Sequence, residues 1–184
     1  LKEWRDGSVM RGGFVYISRI SKDKREQLTA DHLKSVSEYA ASLLASKLHI
    51  SEFLRLTALL HDMGKLSLAF LAYIRECAKA DRHCSGPRRG SVVHSTQGAK
   101  YIYEAFADED ELAGLTAAII AVCVAGHHSG LMDGVSLKGE RPLYSRLSED
   151  NPRHSFGEVK STFEATSILP RGLDEMLGAC KQEL

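Results

Sequence analysis

Cysteine is scarce in this sequence and poorly spaced for structural chemistry. The four thiols, Cys77, Cys84, Cys123 and Cys180, form no CxxC pair, which argues against a zinc ribbon. A disulfide scaffold is not needed, because the apolar content builds a core without staples. Reduced thiols in a cytoplasmic protein are expected. Net charge is absent too. The 24 Lys and Arg balance the 24 Asp and Glu, which excludes a nucleic-acid coat held by bulk charge. A local cleft that handles a phosphodiester stays open. No apolar run approaches the ~20 residues that span a bilayer, so no membrane contact is expected. The opening "LKEWRDGSVMRGG" has no signal-peptide core. Internal repeats and low-complexity segments are missing as well. The chain starts at Leu1 rather than Met, which reads as a piece of a longer protein.

What is present is a chain of 184 residues, 43% hydrophobic, enough for one domain with a real core. "FVYISRI" (14–20) has the β-branched and aromatic content of a short strand or extended arm. "TADHLKSVSEYAASLLASKL" reads as a helix started by Thr29 or Asp31, with His32, Val36, Tyr39 and Leu43 on one face. A second helix runs "SEFLRLTALLHDMG", with Ser51 as candidate cap and Gly64 near its end. Leu56, Leu59, Leu60 and Met63 form its apolar stripe. Leu54 and Ala58 lie opposite with His61 and Lys65, so this helix is packed all round. Helical spacing returns in "LSLAFLAYIRECAKA", in "HSTQGAKYIYEAFA" and in the strongly apolar "ELAGLTAAIIAVCVAGHH". The stretch from Ser129 to Ser155 reads as irregular, and a short helix follows Pro170 with Leu173, Met176, Leu177 and Cys180 inward. The class is therefore all-α: a helical bundle with a short extended N-terminal arm and an irregular C-terminal region. The domain is expected to fill 1–184, with its core at about 28–135.

The sequence holds eight His residues, and imidazole is the commonest metal ligand. His32, His61, Asp62, His94, His127 and His128 interrupt apolar segments or stand at their ends. Each has an ordinary explanation. A lone His is more often a satisfied core residue, an HH pair at a helix end caps carbonyls, and Asp62 can accept from a nearby backbone N–H. Six such residues from four segments argue together for one metal centre. Imidazole and carboxylate without thiolate suit one or two ions of Mn, Fe, Co, Ni or Zn. Two metals would clamp the attacking and leaving oxygens of a phosphate ester. Lys65, one turn after His61, would neutralise charge on that ester. No second carboxylate is placed for acid–base work, so the nucleophile is expected to be a metal-activated water.

The segments "DHL", "LLHDMGKLSLAF", "VVHSTQGAKY" and "AGHHSGLMDG", in that order, resemble the HD nuclease domain of the CRISPR-associated helicase–nuclease of type I systems. The lead-in "YISRISKDKREQLTADHL" is similar too, and the resemblance spans roughly 14 to 135. It implies an HD-fold, metal-dependent nuclease cleaving single-stranded DNA. A helicase, in the same or a partner chain, would feed it the strand displaced by an RNA-guided surveillance complex. The resemblance makes His32, His61, Asp62, His94, His127 and His128 metal ligands, and gives Lys65 and Asp62 to the reaction. Ser129 stands where Gly is usual. The family's late Asp has no clear match; Asp174 is the one late candidate, and without such a carboxylate a weakly held metal is expected. Two other readings share these residues. An HD phosphohydrolase acting on a small nucleotide would need a closed base pocket, and a non-catalytic docking module would have lost ligands. Arg82, Arg88 and Arg89, in the loop before His94, would track a backbone or simply be solvated. Tyr101 and Tyr103 read as core and surface of a helix.

Overall fold

The computed structural model describes residues 15–44, 49–79, 90–132, 138–148 and 155–184. β-branched Ile17–Ile20 (β1) pairs antiparallel with Glu26–Leu28 (β2). The expected extended arm is thus the first half of a hairpin. Thr29 N–H donates to the Tyr16 carbonyl at 2.9 Å, so the hairpin runs directly into the first helix.

Eight α-helices follow among the described residues: α1 (Thr29–Leu44), α2 (Ser51–Leu60), α3 (Leu68–Lys79), α4 (Gln97–Phe106), α5 (Glu111–Gly126), α6 (Pro142–Ser148), α7 (Phe156–Glu164) and α8 (Leu173–Lys181). The bundle is all-α, as the apolar spacing implied. Helix α1 packs on α2, α4 packs on α5, and α2, α5 and α8 touch one another. Their shared core holds Leu33, Leu56, Leu59, Leu60, Ile102, Ile120 and Val124, and it takes in Val159, Phe163 and Met176 from the C-terminal helices. No helix among the described residues is long and apolar enough to cross a membrane.

Several local expectations change. On α1 the inward face is Leu33, Ser37 and Ala41, while Tyr39 and Leu43 are 65% and 56% exposed. Small side chains let α1 approach α2 closely, and the Ser37 hydroxyl donates to the Arg55 carbonyl at 3.1 Å. Apolar periodicity alone ranks Tyr and Leu above Ser and Ala, so it chose the wrong face. Ser51 does not cap α2. It is the first helical residue, and the cap comes from the far end of the chain. The Glu183 carboxylate accepts from the Ser51 hydroxyl (3.3 Å) and from the N–H groups of Glu52 (3.0 Å) and Phe53 (2.9 Å). A carboxylate there also meets the positive end of the helix dipole. The stretch read as irregular contains α6, and α7 forms where no element was expected; only Val159, Thr162 and Phe163 of α7 are buried, too few to print a periodic signal.

Two glycines set how closely the segments carrying the candidate histidines approach. A Cβ on Gly98 would lie 2.0 Å from the Leu60 carbonyl oxygen, so α4 can meet the end of α2 only through glycine. A Cβ on Gly64 would lie 2.6 Å from His94 Cα. Gly64 is therefore a close-approach residue rather than a left-handed helix terminator. Gly98→Ala should lower stability by about 2–3 kcal/mol through overpacking. Urea denaturation measures it, and a loss below about 0.5 kcal/mol would show that α2 and α4 are not held this tightly.

Candidate metal centre

Helix α2 ends at Leu60, so "HD" lies in the turn that follows and not inside the helix as the spacing suggested. The first residue past the end, His61, folds back: its Nδ1 donates to the Ala58 carbonyl at 2.7 Å. The end of α5 repeats this device. Past Gly126, His127 Nδ1 donates to the Val124 carbonyl at 2.6 Å. Carbonyls of a last helical turn lack intrahelical partners, so each His caps its own helix. The capping role therefore leaves each Nε2 free for a ligand role, and the two explanations are compatible. A carbonyl can only accept, so the proton sits on Nδ1 and the Nε2 lone pair faces outward. His94 does the same from a loop, three residues before α4 rather than at its start, with Nδ1 3.3 Å from the Val92 carbonyl. The Gln97 side chain braces that loop, donating to the Val93 carbonyl at 2.9 Å.

All of these Nε2 atoms converge on Asp62, which is 4% exposed. Its Oδ2 lies 3.0 Å from His32 Nε2, 3.0 Å from His61 Nε2 and 2.7 Å from the Lys65 ammonium. Its Oδ1 lies 3.4 Å from His127 Nε2 and 3.7 Å from His94 Nε2. His128 enters through His94, with the two Nε2 atoms 2.9 Å apart. Burial pushes the Asp62 carboxyl up, and the contacts with His127, His32 and His61 hold it well below the usual carboxylate range when each Nε2 meets it through a proton or a bound cation. Burial holds His94 and His128 below the ordinary imidazole value, which favours the neutral, ligating form.

Lys65 does not share a helical face with His61, because the helix has ended. It lies in the Met63–Lys65 3₁₀ turn, pairs with Asp62, and sets its ammonium 5.5 Å from the Phe70 ring centroid. Phe70, which the sequence reading did not single out, packs in turn against His94 with centroids 5.2 Å apart. Asp174 is exposed in the first turn of α8 and belongs to neither ligand group described below. Tyr101 is buried edge-on against Phe163, and Tyr103 packs on the core from its rim. Arg82, Arg88, Arg89 and Cys84 lie outside the described residues. Cys77, Cys123 and Cys180 are free thiols.

The residues fit a metal. Asp62 Oδ1 is buried without a hydrogen-bond partner among the described residues. Where Nδ1 holds the proton, a neutral ring turns an Nε2 lone pair toward a carboxylate oxygen, a repulsive contact unless a cation lies between them. Two ligands each about 2.1 Å from one ion stand about 3.0–3.4 Å apart at octahedral or tetrahedral angles; the His32, His61 and His127 contacts to Asp62, at 3.0, 3.0 and 3.4 Å, match that spacing. Two ligand groups meet this description: His32, His61 and Asp62, and Asp62, His94, His127 and His128, the ligand atoms of each lying within 4.8 Å of one another. Asp62 belongs to both.

A family model described as Cas3, HD domain, matches residues 24–177. The chain belongs to the Cas3 HD-domain family. The match extends beyond the motif segments into α6, α7 and part of α8, in keeping with the core that those helices share. No curated protein sequence matches the chain. As a Cas3 HD domain it is a hydrolase of the HD superfamily, a metal-dependent nuclease or phosphohydrolase of CRISPR systems. The shared position of Asp62 in this Cas3 HD domain yields a test. Asp62→Ala should reduce Mn²⁺ affinity by at least about 100-fold, since it removes the one carboxylate of both groups, while the circular dichroism of the bundle is retained. Calorimetry on the folded variant measures it, and wild-type affinity would remove Asp62 from the centre.

Proposed function

We propose that this domain hydrolyses single-stranded DNA during type I CRISPR interference. His32, His61, Asp62, His94, His127 and His128 would hold one or two divalent transition-metal ions. The observation that supports this most is the meeting of both histidine sets on one ionised, buried carboxylate beside Lys65. Bound divalent ions supply Lewis-acid activation of water and neutralise a phosphodiester. The ligand set also sets the charge. Five neutral imidazoles contribute none, and Asp62 offsets a single positive charge, so the loaded centre stays strongly cationic and attracts an anionic ester.

The chain's own groups do the rest. Nδ1 bonds to the Ala58 and Val124 carbonyls fix the His61 and His127 rings, so the centre needs little rearrangement during reaction. The Lys65 ammonium, 2.7 Å from Asp62 and 14% exposed, is placed to take one non-bridging phosphate oxygen as negative charge builds. The ligating side chains are partly open to solvent, which suits a strand passing across the centre. Under this reading a helicase, in the same or a partner chain, delivers the strand that an RNA-guided surveillance complex displaces, and the protein works in the cytoplasm.

The test is cleavage of a labelled oligonucleotide with added Mn²⁺, single-stranded against duplex, alongside nucleoside monophosphates and cyclic nucleotides. Preference for the single strand is expected. Turnover of small nucleotides alone would make the domain a nucleotide phosphohydrolase. Binding of metal with turnover of neither class would make it a docking module. Lys65→Ala should slow cleavage by about 100-fold, the cost of one transition-state donor, while metal still binds. A variant that loses metal as completely as Asp62→Ala would show instead that Lys65 serves the fold of the centre.

A further inference from the structure

Arg146 of α6 stands apart from the other cations around the core. Lys65, Lys100, Arg171 and Lys181 each pair with a carboxylate. Among the described residues Arg146 makes no ion pair. Its Nη2 donates to the Ser95 hydroxyl at 3.2 Å, and its Nη1 lies 3.7 Å from Met132 Sδ. Arg146 as a residue is half-buried. A cation in that position is costly until an anion joins it, and a hydroxyl and a thioether supply no charge. Its location is specific. Ser95 is the residue after His94, and Met132 lies on the segment that leaves α5 just past His127 and His128. Arg146 therefore touches both chain segments that adjoin the second ligand group, and its partner Ser95 directly follows His94.

We propose that Arg146 binds the phosphate next to the one being cleaved, which makes it a substrate-positioning residue for a polynucleotide. The inference rests on the nuclease reading above. A guanidinium presents five donors in a planar fork, and its contacts to Ser95 and Met132 leave the rest for phosphate oxygens. Lys65 and Arg146 then divide the work. Lys65 meets the reacting phosphate at Asp62, and Arg146 fixes the register of the strand by holding its neighbour. A mononucleotide or a small diester has no flanking phosphate and gains nothing from Arg146.

The experiment compares wild type, Arg146→Gln and Arg146→Lys, all loaded with Mn²⁺, on oligothymidylate and on bis(p-nitrophenyl) phosphate across a range of NaCl. For Arg146→Gln the ratio of oligothymidylate to small-diester kcat/KM should fall about tenfold, the scale of one charged hydrogen bond, and KM should carry the change. The slope of log kcat/KM against log salt should become shallower by about 0.7, the value for one contact to a single-strand phosphate. Arg146→Lys keeps the charge and should keep the slope. Equal losses on both substrates would overturn the proposal and make Arg146 a staple between two segments. An unchanged slope in Arg146→Gln would overturn it as well. Failure of the underlying nuclease reading looks different: wild type itself would then leave oligothymidylate uncleaved, whether or not it hydrolyses the small diester, before any variant is compared.

Discussion

Asp62 carries a full negative charge at 4% exposure, ringed by imidazoles and one ammonium. An uncompensated charge at that depth costs several kcal/mol; Lys65 supplies one opposite charge, and the imidazole Nε2 atoms around Asp62 suit a bound cation that would supply more. His32 comes from α1, His61 and Lys65 from the turn after α2, His94 from the loop before α4, and His127 and His128 from the end of α5. Each packing choice follows from that demand. Gly98 and Gly64 remove side chains where α4 and the His94 loop must meet the HD turn. Gln97 holds the loop in place, and Phe70 fills the space between Lys65 and His94.

The far ends of the two ligand helices are tied together as well. At the C-terminus of α8, Lys181 pairs with Asp110 at 2.6 Å, and Asp110 caps α5 by accepting from the Ala113 N–H at 2.9 Å. Two residues on, Glu183 caps α2. One short segment thus clamps the starts of α2 and α5, whose opposite ends present "HD" and "HH". Capping interactions of this kind are modest for the whole bundle but placed where they set the relative position of the HD and HH pairs. The C-terminal helices, which carry none of the ligands, earn their place in the domain through that clamp and through the core beneath it.

The clustered His and Asp residues were legible in the sequence because their chemistry is unusual for their surroundings. His and Asp stand out in "TALLHDMGK" and "AVCVAGHHSG" against apolar neighbours. The helical class was legible from the same periodicity. What could not be read was anything fixed by partners far along the chain. Glu183 looks like an ordinary terminal acid until α8 brings it to α2. Ser37 and Ala41 look polar or neutral until α1 needs a close contact. Gly64 looks like an ordinary residue near a helix end until the His94 backbone lies against it. Helical spacing puts Lys65 on the face of His61, but α2 ends at Leu60, before either residue. Arg146 gave no signal at all, since a single Arg in "PLYSRLS" is unremarkable without Ser95 and Met132 beside it.

The account turns on one carboxylate serving two histidine sets. Anomalous diffraction at the Mn edge, from crystals of the chain grown with Mn²⁺, tests that directly. Two peaks should appear on either side of Asp62, each about 2.1–2.3 Å from one of its oxygens, one bounded by His32 and His61, the other by His94, His127 and His128. Peaks that bypass Asp62, or a centre without metal at saturating Mn²⁺, would contradict it.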